Sequence, residues 1–257
     1  MELPSEAPRP RPPALADDWA LFLDVDGCLL DFAATPEGVV VPVGLTETVE
    51  AMAEKLHGAV ALVSGRALSM LDRLFPTLRQ MPAAGLHGLE LRGPGGFTRA
   101  APHAPPALER IRAEAEALAQ AWPGALVESK GPNLALHWRS APAAARAFHA
   151  FVSAALPRLP GYRVQAGDHV LEFRPGVNID KGTAILALMT VLPFRDRVPV
   201  FVGDDQTDEH GFAVVNAHGG HSVLVGERDS AARYALPDPA SVREWLRAMV
   251  AETTVQA

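Results

Sequence analysis

The sequence predicts an α/β fold built on a doubly wound parallel sheet. Five short apolar segments are typical of buried parallel strands, and they lie at residues 19–25, 58–65, 82–91, 198–205 and 221–226. Helical patterns at 46–56, 67–75 and 180–192 separate most of these strands. Alternation of strands and helices is typical of a parallel sheet that is covered by helices on both faces.

The region between the third and fourth strands is too long for a single crossover. Residues 104–174 contain a helix, a strand pair, a second helix and a second strand pair, at 107–122, 125–139, 141–156 and 162–174. Turn signals at 131–133 and 166–168 divide the two strand pairs. This order predicts an inserted αββαββ domain with an antiparallel sheet. The core then comprises residues 18–103 and 175–257, after a Pro-rich lead-in at 1–17 that we expect to be disordered.

Composition excludes several classes of function. The 257-residue chain carries a net charge of −7, which argues against nucleic acid as a partner and requires that local cations hold any anionic substrate. Cys28 is the single cysteine, so no intrachain disulfide forms and a cytoplasmic location is expected. No apolar run reaches about 18 residues, so we expect no membrane span. The chain gives no indication of its oligomeric state.

Polar side chains cluster where the predicted parallel strands end. Ligands of open α/β sheets bind outside the carboxyl ends of the strands, so these side chains are expected to form one site. They are Asp24 and Asp26 after the first strand, Ser64, Gly65 and Arg66 after the second, Asp204, Asp205 and Asp208 after the fourth, and Lys181 at the start of the helix leading into the fourth.

Each of these residues also has a purely structural interpretation. An aspartate or serine after a strand often caps a turn or a helix, and a lysine can be an exposed surface group. Lys181 nevertheless lies in a first helical turn, where it opposes the helix dipole at a cost of about 0.3–1 kcal/mol. That position favours an anion near this helix start. If every interpretation were structural, all of these polar residues would lie at one edge of one sheet by coincidence. A functional site is therefore the better hypothesis.

The residue types indicate phosphoryl chemistry. Asp24 and Asp204 offer the hard oxygen ligands that suit Mg²⁺, which is bound through one or two carboxylates, phosphate and water. Ser64, neighbouring backbone N–H groups and Lys181 can hold a phosphate. Asp24 can attack phosphorus, since aspartyl phosphates are established covalent intermediates. Asp26 lies two residues on, where it can protonate the leaving oxygen and later deprotonate water.

The four motifs resemble those of the haloacid dehalogenase (HAD) superfamily of phosphohydrolases over about residues 20–230. The matching segments are the DxDG of Asp24 and Asp26, Ser64, Lys181, and the GDDxTDE of Asp204, Asp205 and Asp208. The resemblance implies that Asp24 is the nucleophile and a metal ligand. It also implies that Asp26 is the acid/base and binds the metal through its backbone carbonyl. Asp204 then binds the metal with support from Asp205 and Asp208, the core is HAD-like and Rossmannoid, and the insert is a type C2 cap.

A narrower resemblance is to the trehalose-6-phosphate phosphatases. It rests on segments 64–66, 85–90, 128–139, 171–182 and 203–209, of which the two cap segments are the most discriminating. It implies that Glu128, Lys130 and Glu172 hold the sugar of a small sugar phosphate substrate, with Arg66 and His87 at the substrate site. Without the resemblance, solvated strand-face residues would be the simpler interpretation of the cap residues. His137 is expected to make a structural hydrogen bond.

Three alternatives stay open. The closest is a HAD phosphatase for another sugar phosphate, such as sucrose phosphate or a glycosyl-phosphoglycerate. A phospho-receiver signalling module also combines a phosphoacceptor Asp with Ser/Thr, Lys and paired acids, but Asp26 and the long insert argue against it. A catalytically inactive binding homologue is opposed by the intact set of nucleophile, acid/base, lysine and metal acids.

Overall fold

A computed structural model describes residues 9–33, 35 and 38–251, which form two sheets. The strands are β1 (Trp19–Leu23), β2 (Val60–Val63), β3 (Ala83–Gly85), β4 (Glu90–Arg92), β5 (Thr98–Arg99), β6 (Leu126–Lys130), β7 (Asn133–His137), β8 (Tyr162–Gly167), β9 (Val170–Pro175), β10 (Val198–Gly203), β11 (His221–Val225) and β12 (Tyr234–Leu236). The α-helices are α1 (Leu45–Lys55), α2 (Leu68–Leu74), α3 (Pro106–Ala119), α4 (Ala145–Ala155), α5 (Lys181–Met189), α6 (Glu209–Ala217) and α7 (Pro239–Ala251).

The larger sheet confirms the predicted doubly wound α/β fold. Its strand order is β12-β11-β10-β1-β2-β3-β4-β5, and the six strands from β12 to β3 run parallel. Every residue of the central strand β1 is buried, which requires cover on both faces of the sheet. Helix α1 packs on α7 and α5 packs on α6. The carboxyl ends of β1, β2 and β10 therefore meet at one edge.

The third predicted strand is wrong in its extent. Residues 82–91 form two strands, β3 and β4, which pair antiparallel. Leu86, His87 and Gly88 lie between them with φ of 50°, 54° and 98°, and this left-handed stretch reverses the chain. Strand β12 and the two-residue β5 were not predicted from the sequence.

The smaller sheet has the predicted order of elements, α3-β6-β7-α4-β8-β9. Its four strands pair antiparallel in the order β6-β7-β9-β8, and α3 and α4 cover one face around a separate apolar cluster that includes Ile111, Phe148 and Phe173. The second hairpin turns at residues 168–169, because Gly167 pairs with Val170. The prediction of 166–168 for this turn was therefore early by about one residue.

Of the lead-in predicted to be disordered, residues 9–17 pack against the core, and residues 1–8 lie outside the described residues. The guanidinium of Arg9 donates to three carbonyl oxygens between residues 228 and 232. The carbonyl of Pro10 accepts the N–H of Ala235 on β12, the edge strand of the larger sheet. An edge strand offers unpaired backbone groups, so an extended Pro-rich segment can pack there without forming a strand itself.

Within the described ranges, no helix combines the length and the apolar character that crossing a membrane requires.

Candidate functional site

A cavity of about 670 Å³ lies between the carboxyl edge of the larger sheet and one face of the smaller sheet. This volume falls within the usual range for small-molecule sites, roughly 300–1,000 Å³. The predicted site residues that line it are Asp24, Asp26, Gly65, Arg66, His87, Glu128, Lys130, Glu172, Lys181, Asp204 and Asp205. The remaining two, Ser64 and Asp208, are fully buried behind the wall.

The side of the cavity formed by the larger sheet is called the core wall, and the side formed by the smaller sheet is called the cap wall after the predicted cap. Asp24 and Asp204 form the centre of the core wall. A carboxylate oxygen of each and the sulfur of Cys28 all lie within 4.8 Å of one another. Gly27 makes this approach possible: its φ is 73°, and a Cβ at this position would lie 2.1 Å from Oδ2 of Asp204. The strand end and its glycine thus bring acids from two neighbouring strands together.

Burial makes the ionised forms of both acids unfavourable. It raises the pKa of Asp24 well above the usual range, and the charges of Asp208 and Asp204 raise it further while Lys181 opposes the shift. Burial, with the charges of Asp208 and Asp205, raises the pKa of Asp204 to about 8. A hard divalent cation would offset this repulsion, and oxygen ligands suit it. Burial also raises the pKa of the Cys28 thiol well above its usual value, so Cys28 stays protonated and is a poor ligand.

Lys181 connects two of the acids. Its Nζ lies 2.9 Å from Oδ2 of Asp24 and 2.7 Å from Oδ1 of Asp208. Asp180 caps α5 in a reciprocal capping box with Thr183, which fixes the helix start that carries the lysine. Burial alone would lower the pKa of Lys181, but the charges of Asp208 and Asp24 outweigh it and raise the pKa. The lysine is therefore a buried, permanently charged group beside Asp24.

The acids after β10 fold around Asp208. Its Oδ2 accepts the backbone N–H groups of Asp204 at 2.9 Å and Asp205 at 3.0 Å. The carboxylate of Asp205 accepts the N–H and the hydroxyl of Thr207 and caps a short 3₁₀ helix. Capping, the structural interpretation considered for these aspartates, thus describes Asp205, and Asp208 completes the capping box through the Asp205 N–H. Asp208 also fixes the backbone that carries Asp204.

Asp26 is held by Arg66. Nε of Arg66 lies 2.7 Å from Oδ2 of Asp26, and Nη2 lies 2.7 Å from Oδ1, so the pair is bidentate. Ser64 Oγ accepts the backbone N–H of Arg66 at 3.1 Å. Helix α2 begins at Leu68 after Ala67, so Ser64 is not its N-cap. The structure therefore places Arg66 on Asp26 as well as on the cavity wall.

On the cap wall, strand register brings the predicted sugar-binding residues together. Glu128 pairs with Ala135, Ala135 with Glu172, and Glu172 with Gln165, so one row crosses all four strands. All four residues of this row line the cavity. Side chains of alternate residues share a face, so Lys130 belongs to the same face as Glu128. The small Ala135 leaves space between the two carboxylates.

Glu128 carries two nitrogen partners on one oxygen. Oε2 lies 3.2 Å from Nζ of Lys130 and 2.9 Å from Nε2 of His137. Oε1 is buried and has no hydrogen-bond partner among the described residues. The hydrogen bond of His137 agrees with the structural role expected for it. One oxygen of Glu128 is fixed and the other is available to a ligand.

Glu172 joins the two walls. Its Oε2 lies 3.5 Å from Nε2 of His87, which follows β3 of the larger sheet, and its Oε1 accepts from Asn133 at 3.0 Å. Burial raises the pKa of Glu172, but the His87 contact, the charge of Lys130 and the Asn133 bond outweigh burial and lower it to about 2. Burial lowers the pKa of His87, so this imidazole is neutral at pH 7. Glu172 is thus a fully ionised acceptor that contacts the core.

Sequence reasoning missed several residues that line the cavity or hold its walls. Gln165 and Arg139 lie on the cap, Phe32 follows β1 and places its ring 5.1 Å from the Arg139 guanidinium, and Arg228 follows β11. Arg228 could have been found, because it lies just beyond the carboxyl end of a predicted parallel strand. The sequence indicates Asn133 only as a turn signal. Its hydrogen bond to Glu172 joins two hairpins, and local sequence patterns do not reveal such a contact.

The arrangement of the two sheets is a HAD-like fold. The structure is similar to the C-terminal domain of Candida albicans trehalose-6-phosphate phosphatase, with a TM-score of 0.79 and 19% identity over 96% of this chain and 99% of that chain. It is also similar to a haloacid dehalogenase-like hydrolase from Bacteroides thetaiotaomicron, with a TM-score of 0.62 and 16% identity over 90% of this chain and 99% of that chain. These likenesses establish the fold.

Sequence similarity defines the family within that class. The family model described as trehalose-phosphatase matches residues 22–240. A probable trehalose-phosphate phosphatase of Sinorhizobium fredii is 42% identical over 82% of this chain and 78% of its own length. The trehalose-6-phosphate phosphatase of Escherichia coli is 39% identical over 91% of this chain and 87% of its own length. The chain belongs to the trehalose-phosphatase family of phosphoric monoester hydrolases.

The lowered pKa of Glu172 predicts an acid-dependent loss of stability. The pKa falls from 4.5 to about 2 on folding, so the carboxylate stabilises the fold above about pH 4.5 and this contribution is lost as the pH falls toward 2. Glu172→Gln removes the titration. The difference in unfolding free energy between wild type and this variant should be larger at pH 6 than at pH 3 by roughly 2 kcal/mol, measured by urea unfolding. Equal differences at both pH values would contradict the contacts with His87 and Asn133 and the influence of the Lys130 charge on this carboxylate.

Proposed function

We propose that this chain is a Mg²⁺-dependent phosphatase that hydrolyses trehalose 6-phosphate to trehalose and phosphate through an aspartyl-phosphate intermediate. The observation that carries the proposal is that one cavity has two chemically different walls. The core wall combines acids with a buried lysine, and the cap wall presents charged side chains suited to sugar hydroxyls. The names of the relatives support this substrate.

The metal would be held by the carboxylates of Asp24 and Asp204 and the backbone carbonyl of Asp26. Hard oxygen donors and a protonated Cys28 thiol fit Mg²⁺ better than a soft cation. When bound, Mg²⁺ would supply positive charge to the acid cluster and to the phosphoryl group. Asp205 and Asp208 support this site through the backbone rather than as ligands.

The chain's own residues account for the two chemical steps. Lys181 and the N–H groups near Gly65, which line the cavity, hold the phosphoryl oxygens. The Ser64 hydroxyl lies behind the wall, so it joins them only if the wall shifts to admit the phosphate. Asp24 attacks phosphorus and displaces the sugar oxygen, to which Asp26 gives a proton. Asp26 then takes a proton from the water that hydrolyses the phosphoenzyme. Because Arg66 occupies both oxygens of Asp26, this ion pair must open for the proton transfers to occur.

Residues 104–174 are proposed to act as a cap that selects the sugar, with 18–103 and 175–257 as the catalytic core. Glu128, Lys130 and Glu172 would bond to sugar hydroxyls, with His87 and Arg66 nearer the phosphate. Buried polar atoms rarely lack partners. Six such atoms occur among the described residues, and two of them belong to residues that line the cavity, Oε1 of Glu128 on the cap wall and Nδ1 of His87 on the core wall. Their unused bonding capacity supports a polar ligand between the walls.

The direct test is phosphate release from about ten sugar phosphates, with and without Mg²⁺. Trehalose 6-phosphate should be the preferred substrate, and a chelator should abolish turnover until Mg²⁺ is restored. Full activity in excess EDTA would contradict the metal assignment. Preference for sucrose phosphate or a glycosyl-phosphoglycerate would move the chain to another sugar substrate while leaving the phosphatase chemistry in place. A phosphoprotein that releases no phosphate would instead indicate a receiver module.

The two aspartates of the first motif should fail differently. Asp24→Asn removes the nucleophile, so no acid-stable phosphoprotein should be trapped by rapid quench. Asp26→Asn keeps the nucleophile and loses proton transfer, which is typically worth about 10²–10⁴-fold in rate. This variant should bind substrate with little change while both steps slow. Near wild-type turnover of Asp24→Asn would rule out the covalent route.

Cap substitutions should change sugar selection and spare phosphoryl transfer. Glu128→Gln, Lys130→Met and Glu172→Gln each remove a charged hydrogen bond, worth about 1.5–3 kcal/mol, so kcat/KM for trehalose 6-phosphate should fall roughly 10- to 150-fold. Hydrolysis of a small aryl phosphate, which is too short to reach the cap wall, should barely change.

Two controls define the interpretation of the cap variants. Lys181→Ala should depress both activities, because it acts on the phosphoryl group they share. Glu114→Gln, on the exposed face of α3 where Glu114 pairs with Arg158, should change neither. Equal losses on both substrates in the cap variants would indicate that these residues serve folding or closure rather than recognition.

A further inference from the structure

Arg228 holds the backbone of the acid loop that follows β10. Its Nε donates to the carbonyl oxygen of Asp204 at 2.7 Å, and its Nη2 donates to that of Asp205 at 2.5 Å. Its Nη1 lies 2.5 Å from Oε1 of Glu209 and donates to the carbonyl of Asp229 at 2.9 Å. One guanidinium thus bridges two successive carbonyls of the loop that carries a proposed metal ligand.

The bonding of Arg228 favours positioning over substrate binding. A guanidinium has five N–H donors, and four of these bonds already go to protein acceptors. Glu209 pairs the charge, so repulsion of a nearby cation is offset. The planar fork matches two adjacent carbonyls, a geometry that the single ammonium of a lysine does not reproduce. Its effect on the site is to fix the backbone from which the Asp204 carboxylate extends.

A second arginine fixes the segment that carries the first. The guanidinium of Arg9 donates to the carbonyls of Arg228 at 3.1 Å, Ser230 at 2.6 Å and Ala232 at 2.9 Å. From the other side, Oε2 of Glu209 accepts the N–H of Ala231 at 2.9 Å. The 228–232 segment is therefore held between the N-terminal segment and α6.

We propose that Arg228 is a positioning residue for Asp204, and that Arg9 acts through Arg228, so that the N-terminal segment helps to set the affinity of the site for Mg²⁺. The proposal rests on the proposed function, because it takes Asp204 as a metal ligand. In this proposal neither arginine touches the metal or the substrate. Both affect metal binding from outside the acid cluster.

The test measures Mg²⁺ binding to the full chain without substrate, by isothermal titration calorimetry. Loss of a residue that orients a metal ligand typically costs about 10–100-fold in metal affinity, so Arg228→Gln should raise the Kd for Mg²⁺ by about that factor. Arg228→Lys should not restore the affinity. Arg9→Gln should raise the Kd in the same direction by a smaller factor. At saturating Mg²⁺ the KM for the sugar phosphate should be unchanged in all three variants.

Two arginines of similar bonding provide matched controls. Arg233 donates to the carbonyls of Gly220 and Asn216, and Arg197 donates to those of Asp17 and Trp19. Arg233→Gln and Arg197→Gln should leave the Kd for Mg²⁺ unchanged. Melting temperatures without Mg²⁺ show whether any variant weakens the fold in general.

The outcomes separate the inference from the proposed function. If the wild-type chain binds no Mg²⁺, the metal assignment itself fails. If wild type and Arg228→Gln bind Mg²⁺ equally, the positioning role is wrong while the proposed function stands. If Arg228→Gln weakens binding and Arg9→Gln does not, the part assigned to the N-terminal segment is wrong. If the Kd for Mg²⁺ rises equally in the two control variants, the effect of Arg228→Gln reflects general destabilisation, and the positioning role is wrong.

Discussion

The repulsion between two clustered carboxylates, those of the buried Asp24 and the half-buried Asp204, is the constraint on which the rest of the site depends. A carboxylate oxygen of one lies within 4.8 Å of an oxygen of the other, and at that limit, with an effective dielectric constant of about 20, two like charges repel by about 3 kcal/mol or more. Lys181 offsets part of this repulsion by bonding to Asp24 and Asp208. Gly27 permits the close approach, because any side chain at this position would collide with Asp204. The remaining excess of negative charge favours a cation at this point, which supports the proposed Mg²⁺ site.

The cap wall also holds two carboxylates, but there strand register rather than a glycine sets their spacing. Its two carboxylates, Glu128 and Glu172, lie in one row of the sheet with Ala135 between them, so strand register alone fixes their separation. Lys130 lowers the pKa of each, and His137 and Asn133 each fix one oxygen. His87, in the loop after β3, connects this row to the end of β2, because its imidazole contacts Glu172 and its backbone N–H donates to the carbonyl of Ser64. One residue thus joins the proposed sugar-binding row to a residue of the proposed phosphate site.

Much of the core and part of the cap follow from sequence patterns, and the limits have physical causes. Apolar runs predict the parallel strands, and the strand-end rule predicts Asp24, Lys181 and Asp204 as one cluster. The break after β3 does not follow from the sequence, because non-glycine residues such as Leu86 and His87 rarely adopt positive φ. On the cap strands, a solvated face and a ligand-binding face show the same alternation of polar and apolar residues. Only the family resemblance distinguishes the two interpretations. The contacts of Arg9 join residues more than 200 positions apart, which local patterns do not report.

The two walls therefore differ in what a substitution can disturb. On the cap, the charged residues project from regular strands, so their positions depend on register and tolerate change in remote segments. On the core, the acids project from loops whose carbonyls and N–H groups must be held individually, by Asp208 on one side and Arg228 on the other. Because Arg228 is itself held by Arg9, the geometry of the acid loop includes the N-terminal segment. Pro-rich composition alone would have assigned that segment to a tail, whereas its hydrogen bonds make it part of the support of the core wall.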